Sequence, residues 1–204
     1  SIREYICNFI MSKLETNQVD PATGTTLTLG TSGDTITIPS GVTIANSGTA
    51  TGFGGTNAPR FLALKSDSAN QTISDATGTQ VTFDVEVFDS NNAFASNAFT
   101  VPSGEGGTYM VGAGCNIGAG TYSQLDHAII YLLKNGTITS NYGTAFQSNP
   151  VYNTNISFTD VQVLSAGDIL TVNGYANVNS GSGYLSGNSD SRRETYFYAY
   201  KLIT

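Results

Sequence analysis

Three short segments near the beginning of the chain alternate aliphatic with polar residues, and a tight turn follows each one. A strand places alternate side chains on opposite faces, so each aliphatic pair shares one face and the threonines occupy the other. Strands this thin cannot bury such a face within one chain, whereas identical chains wound about a common axis can bury it together. Residues 21–48 are therefore predicted to form a trimerising β shaft, whose axial residues are Leu27, Leu29, Ile36, Ile38, Val42 and Ile44.

The first 20 residues carry a different periodicity. Ile2, Ile6, Phe9 and Ile10 follow an i, i+4, i+7, i+8 spacing, which is typical of an amphipathic helix. A helix of about three turns is marginally stable in water on its own. Residues 1–20 are predicted to be a helix or anchoring arm. It is either an unattached leader or a docking element whose apolar stripe packs on another protein or on copies of itself.

A change of pattern separates the front of the chain from the rest. Residues 49–58 are rich in Gly, Ala and Thr without periodicity, which predicts a linker. Beyond it, short segments rich in Val, Ile, Tyr and Phe recur between turn residues, and no helical period is evident. Residues 59–204 are therefore predicted to be an all-β antiparallel sandwich of jelly-roll type. Its eight predicted strands are RFLALKS, QVTFDVEVF, AFTV, TYMVGAGCNIG, AIIYLLKN, ISFTDVQVL, DILTVNGYANV and ETYFYAYKLI.

Composition narrows the classes of partner. Charged residues make up 11% of the chain, under half of the roughly 25% of a typical soluble domain, and the net charge is -7 with only 8 Lys and Arg. This balance argues against nucleic acid or anionic lipid as a partner. No apolar run approaches the roughly 18 residues of a membrane span, so no membrane insertion is predicted. Cys7 and Cys115 lie far apart without a CxxC motif, and both are predicted to be free thiols.

The residues that could carry catalysis or bind a metal are sparse. His127 is the only histidine, so the sequence gives little support for a Ser/His/Asp catalytic triad. Asp84 and Glu86 share one face of a predicted strand and could bind calcium or serve glycoside hydrolysis, although alternation favours a solvated outer face. The glycines of GAGCNIG miss the dinucleotide-binding spacing and are predicted to mark bends or bulges. We expect the protein to have no enzymatic activity and no cofactor, and calcium is the one candidate ion.

The order of motifs after residue 60 resembles the globular head of complement component one, subunit q, within the wider group of tumour-necrosis-factor-like jelly rolls. The resemblance covers roughly residues 60–204, and one departure is that two extra residues lie between Pro102 and Gly107. It implies an obligate homotrimer whose chain ends meet at the base of the head. The matching positions are Phe99, Thr100 and Pro102, then Gly107 and Tyr109, then Asn135 and Gly136, then Gly167 and Asp168, and finally Tyr196 to Ile203.

The front of the chain resembles a different group. The stretch MSKLETNQVDPATGTTLTLGTSGDTITIPSG is similar to the opening of fibre-type structural proteins from tailed phages of marine bacteria. Together the two resemblances imply a trimeric virion protein on the particle surface, a tail fibre or spike that contacts other virion proteins through its N-terminus and binds the host surface through its head. The alternative is a capsid decoration or head-fibre protein of the same fold. A polysaccharide-degrading enzyme is a third class, which lacks a convincing acid pair.

Receptor contacts are expected in the loops farthest from the shaft, because a rigid scaffold holds such loops while they stay free to vary. Counting strand reversals places residues 66–80, 102–107, 135–155 and 179–193 at that tip. Exposed aromatic and arginine side chains contribute most binding energy at interfaces. The predicted contacts to a surface glycan or outer-membrane protein are Tyr142, Phe146, Tyr152, Tyr184, Arg192 and Arg193. The alternative is that these aromatics pack on their own domain.

Overall fold

A computed structural model describes residues 19–45, 57–66, 69–146, 149–187 and 193–202. The chain divides into two compact units, residues 1–50 and 51–204. The predicted anchoring-helix residues Ile2, Ile6, Phe9 and Ile10 lie outside the described residues, as does most of the predicted linker. The boundaries of the arm, shaft and linker therefore stay predictions.

Residues 19–45 form turns joined by segments without regular secondary structure, and within this range no strand pairing occurs. In the turn at 31–34, the Asp34 N–H donates to the carbonyl of Thr31, and Gly33 has a φ of 95°. A second turn at 39–42 has Gly41 at a φ of 84°, a backbone region that glycine enters without steric cost. The sequence thus sets the turns, while the predicted strands between them have no pairing partner among the residues that the structure describes.

The second unit is built from strands, and its described residues contain no helix. The β-branched and aromatic residues that fill these segments suit a pleated, half-buried backbone. The strands are β1 (Arg60–Leu64), β2 (Gln71–Ile73), β3 (Thr79–Gln80), β4 (Val85–Asp89), β5 (Phe94–Ala95), β6 (Ala98–Thr100), β7 (Gly107–Ala119), β8 (Leu125–Lys134), β9 (Thr137–Ala145), β10 (Asn153–Leu164), β11 (Ile169–Val178), β12 (Gly183–Leu185) and β13 (Tyr196–Lys201).

Two antiparallel sheets face each other. The first sheet runs β10–β7–β13–β1–β4. The short strand β12 pairs with the last three residues of β7, and β2 pairs with β12. The second sheet runs β9–β8–β11–β6–β5, with β3 beside β11. Eight strands make up the jelly roll, namely β1, β6, β7, β8, β9, β10, β11 and β13. Each connection between consecutive members of this set changes sheet, except the β8–β9 hairpin. This strand order is that of a jelly roll, so the predicted fold class of the head is confirmed.

The core lies between the sheets and comes from every second residue of the long strands. Val111 and Cys115 of β7 are fully buried, as are Leu132 of β8 and Leu170 of β11. The ring of Phe61 lies at the centre of an aromatic group. Its centroid is 4.7 Å from that of Phe94, 5.0 Å from that of Phe99 and 4.9 Å from that of Phe197. Cys115 is a free thiol, as predicted, and burial raises its pKa. Cys7 lies outside the described residues.

One predicted strand is divided in the structure, and four observed strands lie outside the predicted ones: β2, β5, β9 and β12. QVTFDVEVF divides into β3 and β4, because Thr82 and Phe83 make backbone hydrogen bonds to the side chains of Gln71 and Asn97 rather than to a neighbouring strand. Conversely, residues 137–145 were predicted to be a loop but form β9, paired along β8. Asn135 and Gly136, both with positive φ, make the two-residue turn of that hairpin.

The division of QVTFDVEVF and the missed strand β9 caused some of the predicted tip loops to be placed at the wrong end of the head. We call the end where β1 begins and β13 ends the terminal end, and the opposite end the loop end. The connections 101–106, 135–136 and 165–168 lie at the terminal end, where Lys201 forms an ion pair with Glu105. The described residues of the connections 65–78, 120–124, 146–152 and 179–195 lie at the loop end. The tip placement of 102–107 was therefore wrong, and the 120–124 loop was missed.

Candidate functional site

The structure does not place Tyr142 in a tip loop. It lies in the middle of β9, and its ring stacks on that of Phe158 in β10 with centroids 4.6 Å apart and planes 7° apart. This contact closes the gap between the two sheets at their β9 and β10 edges. The loop placement of Tyr142 was wrong because the strand character of TITSNYGTA is carried by threonines and single apolar residues rather than by an aliphatic run.

Phe146 follows β9 at the loop end. Its N–H donates to the carbonyl of Asp126 at 2.6 Å, and its side chain is half-buried against the core. Two of the predicted contact residues, Tyr142 and Phe146, thus pack on their own domain. A role of either in binding stays a prediction.

Tyr152 and Tyr184 meet at the loop end and are joined by a residue that the sequence did not single out. The ring of Tyr122 stacks on Tyr152 with centroids 4.4 Å apart and planes 27° apart, and Tyr152 lies 6.1 Å from Tyr184. Tyr122 is 75% exposed. We call Tyr122, Tyr152 and Tyr184 the tyrosine cluster. Tyr122 was missed because the 120–124 loop was assigned to the wrong end, and no signal in GAGTYSQ separates it from an ordinary turn.

Backbone hydrogen bonds hold the three segments of the cluster together. Ala119 N–H donates to the carbonyl of Tyr152 at 2.9 Å, Gly120 N–H to Ser182 at 3.2 Å, and Asn179 N–H to Gln124 at 2.9 Å. Tyr184 lies in β12 directly across from Gly118, and a Cβ at Gly118 would overlap its ring. Burial, together with a hydrogen bond to Tyr152, raises the pKa of Tyr184 to about 12, so its hydroxyl stays protonated.

The structure describes one of the two predicted arginines. Arg192 lies outside the described residues. Arg193 is exposed and lines a cavity of 620 Å³ on the outer face of the first sheet, together with Arg60, Phe88 and Tyr196. The Arg60 guanidinium lies 5.9 Å from the centre of the Phe88 ring, a cation–π distance.

Glycines opposite tyrosines shape this outer face. Tyr196 and Tyr198 of β13 pair directly with Gly114 and Gly112 of β7, and a Cβ at either glycine would overlap the tyrosine ring across from it. The rings of Tyr196, Tyr198 and Tyr200 stack along the strand at centroid distances of 6.2 and 6.3 Å. Strand β7 pairs without a register shift, so the predicted bends in GAGCNIG are wrong. These glycines instead make room for aromatic rings.

The residues weighed for catalysis or metal binding remain apart. Asp84 accepts a hydrogen bond from the N–H of Ser66 at 2.7 Å, and both Asp84 and Glu86 are exposed. The Nδ1 atom of His127 lies 4.0 Å from a carboxylate oxygen of Asp126. Among the described residues, no three His, Cys, Asp or Glu side chains are grouped to hold a metal ion. Calcium binding therefore stays a prediction.

All six predicted axial residues of the shaft are exposed in this single chain. Their exposed fractions run from 43% at Leu27 to 62% at Leu29. No helix within the described ranges is long and apolar enough to cross a membrane.

Comparison with known proteins yields likeness in fold only. No protein-family model matches the chain, and no curated protein matches it. Among solved structures, the globular domain of zebrafish complement 1qA protein is similar at 14% identity and a TM-score of 0.48, over 71% of this chain and 97% of that one. Murine APRIL is similar at 14% identity and a TM-score of 0.46, over 70% of this chain and 99% of that one. The jelly-roll assignment rests on the strand order of the chain itself.

Proposed function

We propose that this protein is a homotrimeric structural protein of a bacteriophage particle, a tail fibre or spike whose jelly-roll head binds a receptor on the host surface. The N-terminal arm joins it to other virion proteins, and residues 21–48 form the shaft. Its mechanism is multivalent attachment, in which several weak contacts on one particle raise the effective affinity. This mechanism needs no catalytic group.

The exposed aliphatic pairs of the shaft are the observation that supports this proposal most directly. Six large apolar side chains at regular spacing, each between 43% and 62% exposed, are unfavourable in a segment that stays alone in water. Burying each isoleucine or leucine contributes about 1.5–3 kcal/mol. Three copies wound together cover these faces with one another. The number three comes from the resemblance of the head to trimeric heads.

The outer face of the first sheet supports self-association independently. Cross-strand partners share one face, so Phe88, Leu62 and Tyr198 lie in one row across β4, β1 and β13. Val161 and Val163 of β10 continue this face and are 54% and 75% exposed. An apolar and aromatic surface of this extent is typical of a protein–protein interface.

The solution mass of the full chain tests the trimer. Three copies of the 21.3 kDa chain give about 64 kDa by light scattering. Val163→Asp, on the aromatic outer face, is expected to weaken the assembly because it places a charge in the interface. Ile138→Asp is the matched control, since Ile138 is 52% exposed on the second sheet. A folded wild-type monomer of 21.3 kDa would contradict the proposal.

Labelling of intact particles tests the location. Gold-labelled antibody against the head is expected on the tail. Labelling of the capsid instead would favour the decoration or head-fibre role, and particles without label would contradict both.

A further inference from the structure

The tyrosine cluster presents one open aromatic face to solvent. The Tyr152 ring covers one side of the Tyr122 ring at 4.4 Å, and Tyr122 is nevertheless 75% exposed. The opposite side of the Tyr122 ring is therefore free. Most tyrosines of the described head are half-buried, so this degree of exposure is unusual for so large an apolar ring.

The open ring is held in place from below. The 120–124 loop is tied at one end through Gly120 to Ser182 and at the other through Gln124 to Asn179. Tyr152 supports the Tyr122 ring from beneath, and Tyr184 closes the side of the cluster over Gly118. A surface that is already ordered loses little conformational entropy when a ligand binds.

The residues on both sides of Tyr122 in the sequence, and the residue that follows Tyr152, are polar and neutral. Thr121 and Ser123 flank Tyr122, Asn153 follows Tyr152, and all three are exposed. Their hydroxyl and amide groups can both donate and accept hydrogen bonds. The net charge of -7 disfavours an anionic ligand.

This combination matches the chemistry of a sugar ring. In a β-galactopyranose or β-glucopyranose, several C–H bonds gather on one face of the ring while the hydroxyl groups project from its edge. The polarised C–H hydrogens are attracted to the negative face of an aromatic ring. The hydroxyl groups then reach neutral donors and acceptors at the rim, and Thr121, Ser123 and Asn153 supply them.

We propose that the tyrosine cluster is a stacking platform for a neutral β-linked pyranose of a host-surface glycan, with the open face of Tyr122 as the contact. This inference rests on the proposed attachment function and specifies its ligand.

Saturation-transfer NMR on the assembled full chain tests the platform, with methyl β-D-galactopyranoside and methyl β-D-glucopyranoside as probes. Irradiation of the protein is expected to transfer magnetisation mainly to the C–H hydrogens of one sugar face, such as H3, H4 and H5 of the galactoside. Tyr122→Ala is expected to lower the affinity at least about fivefold, because it removes the stacking ring. Tyr122→Phe keeps the ring and is expected to keep binding.

A matched control comes from the second sheet. Tyr131 and Tyr175 form an edge-to-face pair with ring centroids 6.1 Å apart, and Tyr175 lies in β11 opposite Ile129, outside the tyrosine cluster. Tyr175→Ala is therefore expected to leave the transfer unchanged. Wild-type protein that shows no transfer to either probe overturns the platform, and so does Tyr122→Ala protein that binds as well as wild type.

Cell adsorption separates failure of the platform from failure of the attachment function. If wild-type protein adsorbs to host cells and Tyr122→Ala adsorbs equally, the platform is overturned while attachment stands. In the other case, magnetisation transfer to the sugar depends on Tyr122, but the wild-type protein adsorbs to no host cell and the antibody labels no particle. The platform then stands and the proposed function fails.

Discussion

The chain uses the same four-residue turn in two regions with opposite outcomes for the flanking strands. In TSGD at 31–34 and in SAGD at 165–168, the first residue donates its N–H to the aspartate carboxylate, at 2.6 Å and 2.8 Å, and the glycine has positive φ. In both, the aspartate N–H donates back to the first carbonyl at 3.0 Å. Alternating apolar residues flank each turn.

The difference lies in what surrounds the turn. In the head, the turn joins β10 to β11, whose Leu170 and Val172 are fully buried by the opposite sheet. In the first unit, Ile36 and Ile38 follow the equivalent turn and are 59% and 45% exposed. A local sequence is thus sufficient for the turn, whereas pairing and burial need a second sheet or a second chain.

The largest change in free energy is expected for association through the proposed shaft, whose apolar residues need other copies of the chain to bury them. Replacing Ile36 and Ile38 together with serine should weaken association by about 3–6 kcal/mol per chain, since each buried isoleucine contributes about 1.5–3 kcal/mol. Sedimentation over a dilution series measures this loss. The head should unfold as in wild type, because in the proposed trimer the shaft residues are buried by other shafts and not by the head. If the head of this variant unfolds early, these residues pack on the head instead.

The same substitution at two leucines contrasts the regions directly. Leu170→Ala should lower the free energy of unfolding of the head by about 2–5 kcal/mol, because it opens a cavity between the sheets. Leu29→Ala is the matched control, since Leu29 is 62% exposed, and it should change that free energy by less than about 0.5 kcal/mol. Urea denaturation followed by tyrosine circular dichroism gives both values. Equal effects at the two positions would contradict the contrast.

A glycine beneath a tyrosine ring is expected to have an intermediate effect. Gly112→Ala should cost about 1–3 kcal/mol of unfolding free energy, because its Cβ would overlap the ring of Tyr198. Gly78→Ala is the control, since its nearest neighbour would lie 3.8 Å away. Adding Tyr198→Ala should remove most of the cost of Gly112→Ala. If the double variant is no better than additive, the ring is not the cause.

The smallest effect is expected at the two turn aspartates. Hydrogen bonds from Lys134, from the Ser165 N–H and from Asn135 lower the pKa of Asp168 from 3.8 to about 2. Its stabilisation is therefore present above about pH 4 and is lost as the pH falls through about 2. Asp168→Asn should cost roughly 1 kcal/mol at pH 7, allowing for solvent screening, and progressively less as the pH falls from about 4 through about 2.

Asp34 provides the matched control for this pH dependence. Hydrogen bonds from the backbone and side chain of Thr31 lower the pKa of Asp34. Among the described residues Asp34 has no equivalent of the Lys134 contact, in which Nζ lies 2.8 Å from the Asp168 carboxylate. Asp34→Asn should leave unfolding of the head unchanged at every pH in a urea titration. A difference between wild type and Asp168→Asn that is as large at pH 2 as at pH 7 would contradict the assignment to this carboxylate.

Sequence patterns predicted most long strands of the head. They failed where a strand lacks a run of aliphatic or aromatic residues and where distant side chains, rather than a neighbouring strand, bind the backbone. Strands β7, β8, β10, β11 and β13 were predicted because aliphatic or aromatic residues dominate them. Strand β9 was missed because it alternates threonine with single apolar residues. The break in QVTFDVEVF was not predictable, since it depends on Gln71 and Asn97, side chains distant in sequence that satisfy its backbone.

The candidate site was predictable only in part for a related reason. Tyr152 and Tyr184 were singled out as tyrosines in irregular segments, and the fold brings them together. Tyr122 joins them only because the 120–124 loop lies at the same end, which depends on the number of strand reversals before it. The glycines at 112, 114 and 118 gave no usable signal until β12 and β13 placed tyrosines across from them.

The sequence by itself determined the turns, the alternation of inward and outward side chains, and the all-β class, because these follow from φ preferences and from a period of two along the chain. The tertiary structure alone decided which alternating segments become paired strands, which loops share an end, and which tyrosines stack. Those outcomes depend on contacts between residues far apart in the chain, and local preferences carry no information about such contacts.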